Sequence, residues 1–195
     1  MFYLIFVLPA NATLLSKRFN RFCCDFFGDF EGPINSLPCR SHWIIDLRTS
    51  YPGDNIRTTD DKTLVITPRF RNGAWTTARI ETQKDFAAAP RGKWLIGARI
   101  KLGTAPASQQ QGIWNAARNW QTESMTRSFD GQDLFVLTSS HVGDKPAWEK
   151  LAHDEHFLIL NIEIGGNWPG PLNTQTMDRP SVAMEVDYVG IWSSI

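Results

Sequence analysis

Apolar and polar positions alternate along much of the chain with a period of two. Trp94, Ile96, Ala98, Ile100 and Leu102 alternate with Gly97, Arg99 and Lys101, the pattern of a strand with one buried face. Residues 43–47 form a short apolar run, and residues 63–68 are rich in β-branched types up to Pro68. Residues 124–129 and 132–138 flank Asp130-Gly131. Such a pair between two strands predicts a hairpin, because a type I′ turn needs positive φ at both central positions. Residues 157–164 are apolar except for Asn161 and Glu163, which predicts a central strand covered on both faces. A turn at 165–170 follows. In the last strand Val182, Met184, Val186, Tyr188 and Trp192 are expected on one face, with Glu185, Asp187 and Ile191 on the other. One helical signal runs over 144–153, with Pro146 in its first turn and Trp148, Leu151 and Ala152 on one side. Residues 13–41, punctuated by Gly28, Gly32, Pro33 and Pro38, read as irregular, and residues 105–111 as a loop. Many short strands and one short helix predict an all-β chain, an antiparallel β-sandwich.

Composition narrows the function classes. The 195 residues carry 20 Lys+Arg against 20 Asp+Glu. That balance provides no basic footprint for nucleic acid or for an anionic membrane surface. Residues 1–8 form the longest charge-free apolar stretch, far short of the roughly 20 residues that a membrane-spanning helix requires. With Ala10-Asn11-Ala12 behind it, this stretch resembles a secretory signal, yet no Lys or Arg precedes it. The expected layout is an N-terminal segment at 1–28, a defective signal or irregular tail, and one β-sandwich domain at 29–195. Cys23, Cys24 and Cys39 do not match zinc-ligand spacing and read as plain thiols or one loop bridge. His153-Asp154-Glu155-His156 lacks a third converging ligand and reads as a polar helix end. No Gly-x-Ser-x-Gly elbow and no Gly-x-Gly-x-x-Gly loop occurs.

Several blocks resemble glycoside hydrolase family 16, the laminarinase-like endo-β-1,3(4)-glucanases of fungal type. They are Asp29-Phe30-Glu31-Gly32-Pro33, Trp43-Ile44-Ile45-Asp46-Leu47, the stretch 75–103 with Ala78-Arg79-Ile80-Glu81-Thr82, and Gln111-Gly112-Ile113-Trp114. Leu151-Ala152-His153, the run 157–164, Gly165-Gly166-Asn167-Trp168-Pro169-Gly170 and Glu185-Val186-Asp187-Tyr188-Val189 complete the series in the family's order. The resemblance implies a jelly roll of concanavalin A-like type, a β-1,3(4)-glucan partner, a monomer and an extracellular location. It places Arg79, Trp114, Asn167 and Trp168 in the substrate cleft. A Trp face can stack on a pyranose, and Asn can hydrogen-bond a hydroxyl. No cofactor is required. A structural calcium is implied at Asp187 with Glu31 and Gly32, on the side away from the cleft.

One block is missing. Retaining glycosidases need two carboxylates about 5–5.5 Å apart, a nucleophile and an acid. The family supplies them as Glu-x-Asp-x-x-Glu on one strand, and that pattern occurs nowhere in this chain. Only Glu185-Val186-Asp187 begins it, and Gly190 stands where the second Glu belongs. Against the family, the catalytic strand is absent after Trp114, and a smaller gap falls between Gly53 and Asp54. The sandwich is therefore expected to be incomplete, without catalytic residues, as from skipped exons or a faulty gene model. Three readings follow: an inactive member of this hydrolase lineage, a non-catalytic β-glucan-binding module, or a chain that does not fold stably. Hydrolysis by Glu163 or Glu185 as substitute acids is the least favoured alternative.

Overall fold

The computed structural model describes residues 22–46, 54–86, 94–103, 109–114, 124–129, 132–148, 155–167, 170–174, 176 and 178–194. Its strands are β1 (Phe22–Asp29), β2 (Trp43–Ile45), β3 (Ile56–Thr58), β4 (Leu64–Ile66), β5 (Arg69–Arg71), β6 (Ala74–Thr76) and β7 (Arg79–Thr82). They continue as β8 (Trp94–Lys101), β9 (Gln109–Trp114), β10 (Ser124–Phe129), β11 (Gln132–Thr138), β12 (Ile159–Ile164) and β13 (Met184–Ser194). Every pairing is antiparallel.

Two sheets form the sandwich. In the five-stranded sheet β13 is central, with β8 along one side, β1 and β4 along the other, and β3 beyond β4. The four-stranded sheet runs β2-β7-β12-β9. Hairpins β5–β6 and β10–β11 form small sheets of their own. One apolar cluster joins the two layers. Phe26, Phe30, Leu64, Ile66, Met184 and Val189 from the first sheet meet Trp43, Ile80, Leu160 and Ile162 from the second. The stacked rings of Phe30 and Trp43, 5.7 Å apart, bridge the layers at one end. Gly28 lets them close: a Cβ there would stand 2.7 Å from Cζ2 of the buried Trp43.

Several sequence expectations hold at the level of elements. The alternating run at 94–102 is β8, the β-branched run at 63–68 holds β4, and the 43–47 run holds β2. The hairpin forms with Phe129 opposite Gln132; Asp130 and Gly131 themselves lie outside the described residues. Helix is present at 145–148, where Asp144 Oδ1 accepts the Ala147 amide at 3.1 Å as a cap, and Trp148 is buried. Residues 149–154 lie outside the description.

Five readings are corrected. Residues 105–111 are not all loop, because β9 begins at Gln109. The span 13–41 is not wholly irregular: β1 occupies 22–29, pairs with β13 and crosses the boundary expected at 28/29. Its Gly28 reads as punctuation in the sequence but marks close packing. A helical turn, Ser139–Val142, precedes the expected helix and ends at Gly143 in the left-handed region (φ 69°). Strand β12 is central in its sheet but covered on one face only, since Leu160 and Ile162 are buried and Ile159, Asn161 and Glu163 are half-buried. The faces of β13 also differ from strict alternation. Its pairing with β8 shifts between Val186 and Tyr188, so Asp187 is the extra residue of a β-bulge. Met184 and Val186 point into the core before the bulge, and Val189 and Ile191 do so after it. Tyr188 and Trp192 are thereby turned outward, where both meet the ring of Phe27.

Candidate functional site

The outer face of the four-stranded sheet carries the groove. Strand β12 alternates without a bulge, so its apolar members go inward and Ile159, Asn161 and Glu163 go outward. On β7, Ile80 and Thr82 are buried while Arg79 and Glu81 face out. Register sets these side chains in a grid. Ile159 stands opposite Glu81 on one side and Trp114 on the other; Asn161 stands opposite Arg79 and Gly112; Glu163 stands opposite Gln110.

A cavity of about 460 Å³ opens over this grid, lined in part by Trp75, Thr77, Arg79, Ile159, Asn161 and Glu163. Arg79 Nη2 donates to Glu81 Oε2 at 3.0 Å, two positions along the same strand. Thr77 Oγ1 donates to the Ile162 carbonyl at 2.8 Å and ties the start of β7 to β12. Trp75 comes from the β5–β6 hairpin and packs against Phe70 with ring centroids 5.4 Å apart. The hairpin turns at Asn72 and Gly73, both at positive φ.

A single carboxylate gathers the hairpin's first strand. Asp178 accepts from Arg69 Nη1 at 3.2 Å, from the Phe70 amide at 2.8 Å and from Arg71 Nη1 at 2.9 Å. Burial alone would raise its pKa. The Phe70 amide, the Arg69 hydrogen bond and the charges of Arg69 and Arg71 outweigh burial and hold the carboxyl below its ordinary value.

Of the cleft residues expected from sequence, Arg79 lines the groove. Trp114 is the last residue of β9, in register with Ile159. Asn167 is exposed in the turn beyond β12, after Gly165 and Gly166, which hold φ values of 65° and 92°. It does not line the groove. Trp168 lies outside the described residues, as do Gly53 and Asn115 at the two expected gaps. Sequence reasoning passed over Trp75, Thr77 and Asn161 as groove residues. The signal for Asn161 was present as a polar break in an apolar run.

Among the described residues, no strand of the groove face carries the Glu-x-Asp-x-x-Glu pattern. Glu81 is on β7 and Glu163 is on β12, four residues beyond Ile159, the partner of Glu81. Arg79 engages the Glu81 carboxylate and lies toward Glu163 from it. Glu185 belongs to the other sheet, where it accepts from Thr63 Oγ1 at 3.0 Å and pairs with Lys101 at 3.7 Å.

The residues expected to hold calcium are engaged otherwise. Asp187 accepts from Arg99 Nη1 at 3.0 Å, and Glu31 from Lys62 Nζ at 2.9 Å. Gly32 lies against Ser36, whose Oγ would stand 2.8 Å from a Cβ there. Among the described residues no group of three or more His, Cys, Asp or Glu side chains is placed to hold a metal ion. In this arrangement the three residues do not fit a calcium site.

No family sequence profile matches the chain, and no curated protein matches it by sequence. Its fold, however, matches solved structures over nearly their whole length. It resembles the endo-1,3-β-glucanase of Streptomyces sioyaensis with a TM-score of 0.74 at 20% identity, covering 89% of this chain and 97% of that one. A glycosyl hydrolase family 16 protein of Mycobacterium smegmatis gives 0.66 at 18% identity, over 87% of this chain and 100% of the other. Rv0315, an immunostimulatory antigen and pseudo-β-1,3-glucanase of Mycobacterium tuberculosis, gives 0.68 at 15% identity, over 88% and 99%. Identities this low speak for the fold alone. The antiparallel sheets of this chain have the jelly-roll architecture of the family 16 endo-β-1,3-glucanases.

Proposed function

We propose that this chain belongs to the family 16 β-glucanase lineage, does not hydrolyse glucan, and retains a groove that holds a β-1,3(4)-glucan. The observation that carries the reading is the groove face itself. It keeps sugar-binding chemistry in Trp75, Arg79 and Asn161, while the Glu-x-Asp-x-x-Glu pattern that would supply a retaining pair is absent from the chain. A Trp beside amide and guanidinium donors suits a pyranose, which has an apolar face and a rim of hydroxyls. An extracellular setting goes with this reading. The calcium implied by the sequence resemblance is not part of the proposal.

Two assays on the folded chain test it. Reducing-end release from laminarin should not rise above the buffer blank, and isothermal titration with laminarin should show saturable binding. Hydrolysis that survives purification and disappears in Glu163→Gln would overturn the inactive reading. Absence of any saturable binding would remove the groove's ligand.

A further inference from the structure

We infer that Asp178 is a positioning residue for the glucan groove: it fixes the β5–β6 hairpin so that Trp75 forms one wall. The inference rests on the groove reading above and names a residue outside the groove on which it depends. Strands β5 and β6 pair only with each other among the described strands. A two-stranded hairpin is marginally stable in water by itself. This one is short, three residues a side, and turns through two positive-φ residues. Its orientation therefore has to come from contacts beyond its own ladder.

Asp178 supplies such contacts at a favourable place. It lies between β12 and β13, more than a hundred residues from the hairpin in sequence. Its two oxygens take three donors from three consecutive residues, Arg69, Phe70 and Arg71. One donor is a backbone amide, so the carboxylate fixes the strand itself as well as its side chains. Charge-assisted bonds of this kind are shorter and stronger than neutral ones; Arg69 is half-buried, and Asp178 makes its three bonds at the exposed surface. Phe70, whose amide is held, is the residue that packs against Trp75. The chain of contact is thus carboxylate, Phe70 backbone, Phe70 ring, Trp75 ring, groove. At the other end Thr76 Oγ1 donates back to the Arg69 carbonyl at 3.3 Å and closes the hairpin on the strand that Asp178 grips.

Hydrogen exchange and laminarin titration on the full chain test this together. In Asp178→Asn, amide exchange across residues 69–76 should accelerate at least tenfold while β12 and β13 keep wild-type protection. Laminarin affinity should fall at least fivefold. Trp75→Ala should lose affinity without faster exchange in β5, and adding Asp178→Asn to it should cost little more. Arg71→Gln removes one exposed donor and should show the same exchange effect, smaller, in a protein that keeps its fold. Wild-type exchange over 69–76 in both Asp178→Asn and Arg71→Gln overturns the inference. So does wild-type affinity in Asp178→Asn beside a clear loss in Trp75→Ala. If wild-type protein does not bind laminarin, the groove reading fails, and the exchange arm alone decides whether Asp178 positions Trp75.

Discussion

The two outer faces of the sandwich are built from the same kind of strand and end up with opposite characters. On the four-stranded sheet, β12 alternates without interruption, and its outward row is an isoleucine, an amide and a carboxylate under an open groove. On the five-stranded sheet, β13 is broken by the bulge at Asp187, and its outward row becomes aromatic. There Tyr188 stacks on Phe27 at 5.5 Å with an interplanar angle of 21°, and Trp192 lies over Gly190, close enough that a Cβ at that position would collide with its ring. One face carries polar groups and a ring under an open groove. The other spends its rings on one another. An outward aromatic is thus a recognition element only where the neighbouring strands leave it unfilled.

That contrast can be broken at the shared core or sharpened at either face. The largest effect belongs to the core. Leu160→Ala empties a fully buried site between the layers and should destabilise by about 2–5 kcal/mol, read as a lower midpoint in urea, with groove and aromatic face failing together. Next comes Gly190→Ala, which drives a methyl into the Trp192 ring and should cost roughly 1–3 kcal/mol. Calorimetry should register that cost while laminarin titration stays at its wild-type value; a matching loss of binding would mean the faces are not independent.

Asp178 gives a smaller, pH-dependent effect. Its folded pKa lies below the unfolded value of about 3.9, so its contribution is complete above that value and lost as pH falls through the folded one. The melting temperatures of wild type and Asp178→Asn should therefore differ at pH 7 and converge toward pH 3. A gap that persists in acid would assign the stabilisation to something other than the charge. The smallest effect is expected at Tyr188, whose buried hydroxyl has no hydrogen-bond partner among the described residues. Tyr188→Phe removes an unsatisfied group and should be neutral or stabilising by about 1 kcal/mol in chemical denaturation. A clear loss of stability there would reveal a partner for the hydroxyl.

Elements with strong period-two patterns were legible in the chain, and features set by single residues were not. Strands β8 and β4 and the β10–β11 hairpin announce themselves by alternation, branching and turn chemistry. Strand β1 hides because the alternation of Phe26 and Gly28, carried on to Phe30 just beyond it, includes a glycine, which reads as a break until Trp43 is seen filling its place. The bulge at Asp187 leaves no mark in composition, and so strict alternation puts Tyr188 and Trp192 on the same face as Met184 and Val186. At the site, Arg79 was found and its engagement with Glu81 was not, because a same-strand neighbour two positions away is visible only once the strand is formed. Trp75 escaped notice because its three-residue strand is too short to show a period. The missing Glu-x-Asp-x-x-Glu was legible outright, since an absence over a whole sequence needs no coordinates.

The central place of β13 also sets the order of events in folding. This strand, at residues 184–194, is the partner of β1, β4 and β8, whose own residues span 22 to 101. None of those three pairs with another except through it, so the larger sheet cannot assemble until residue 194 has been made. Loop-closure entropy over more than 150 residues must be met before β1 gains its ladder, which predicts slow, late folding with the earlier strands exposed as unpaired edges meanwhile. The smaller sheet needs the chain only as far as 164, so it can form first and offer its inner face, Trp43, Ile80, Leu160 and Ile162, as the surface on which the rest condenses.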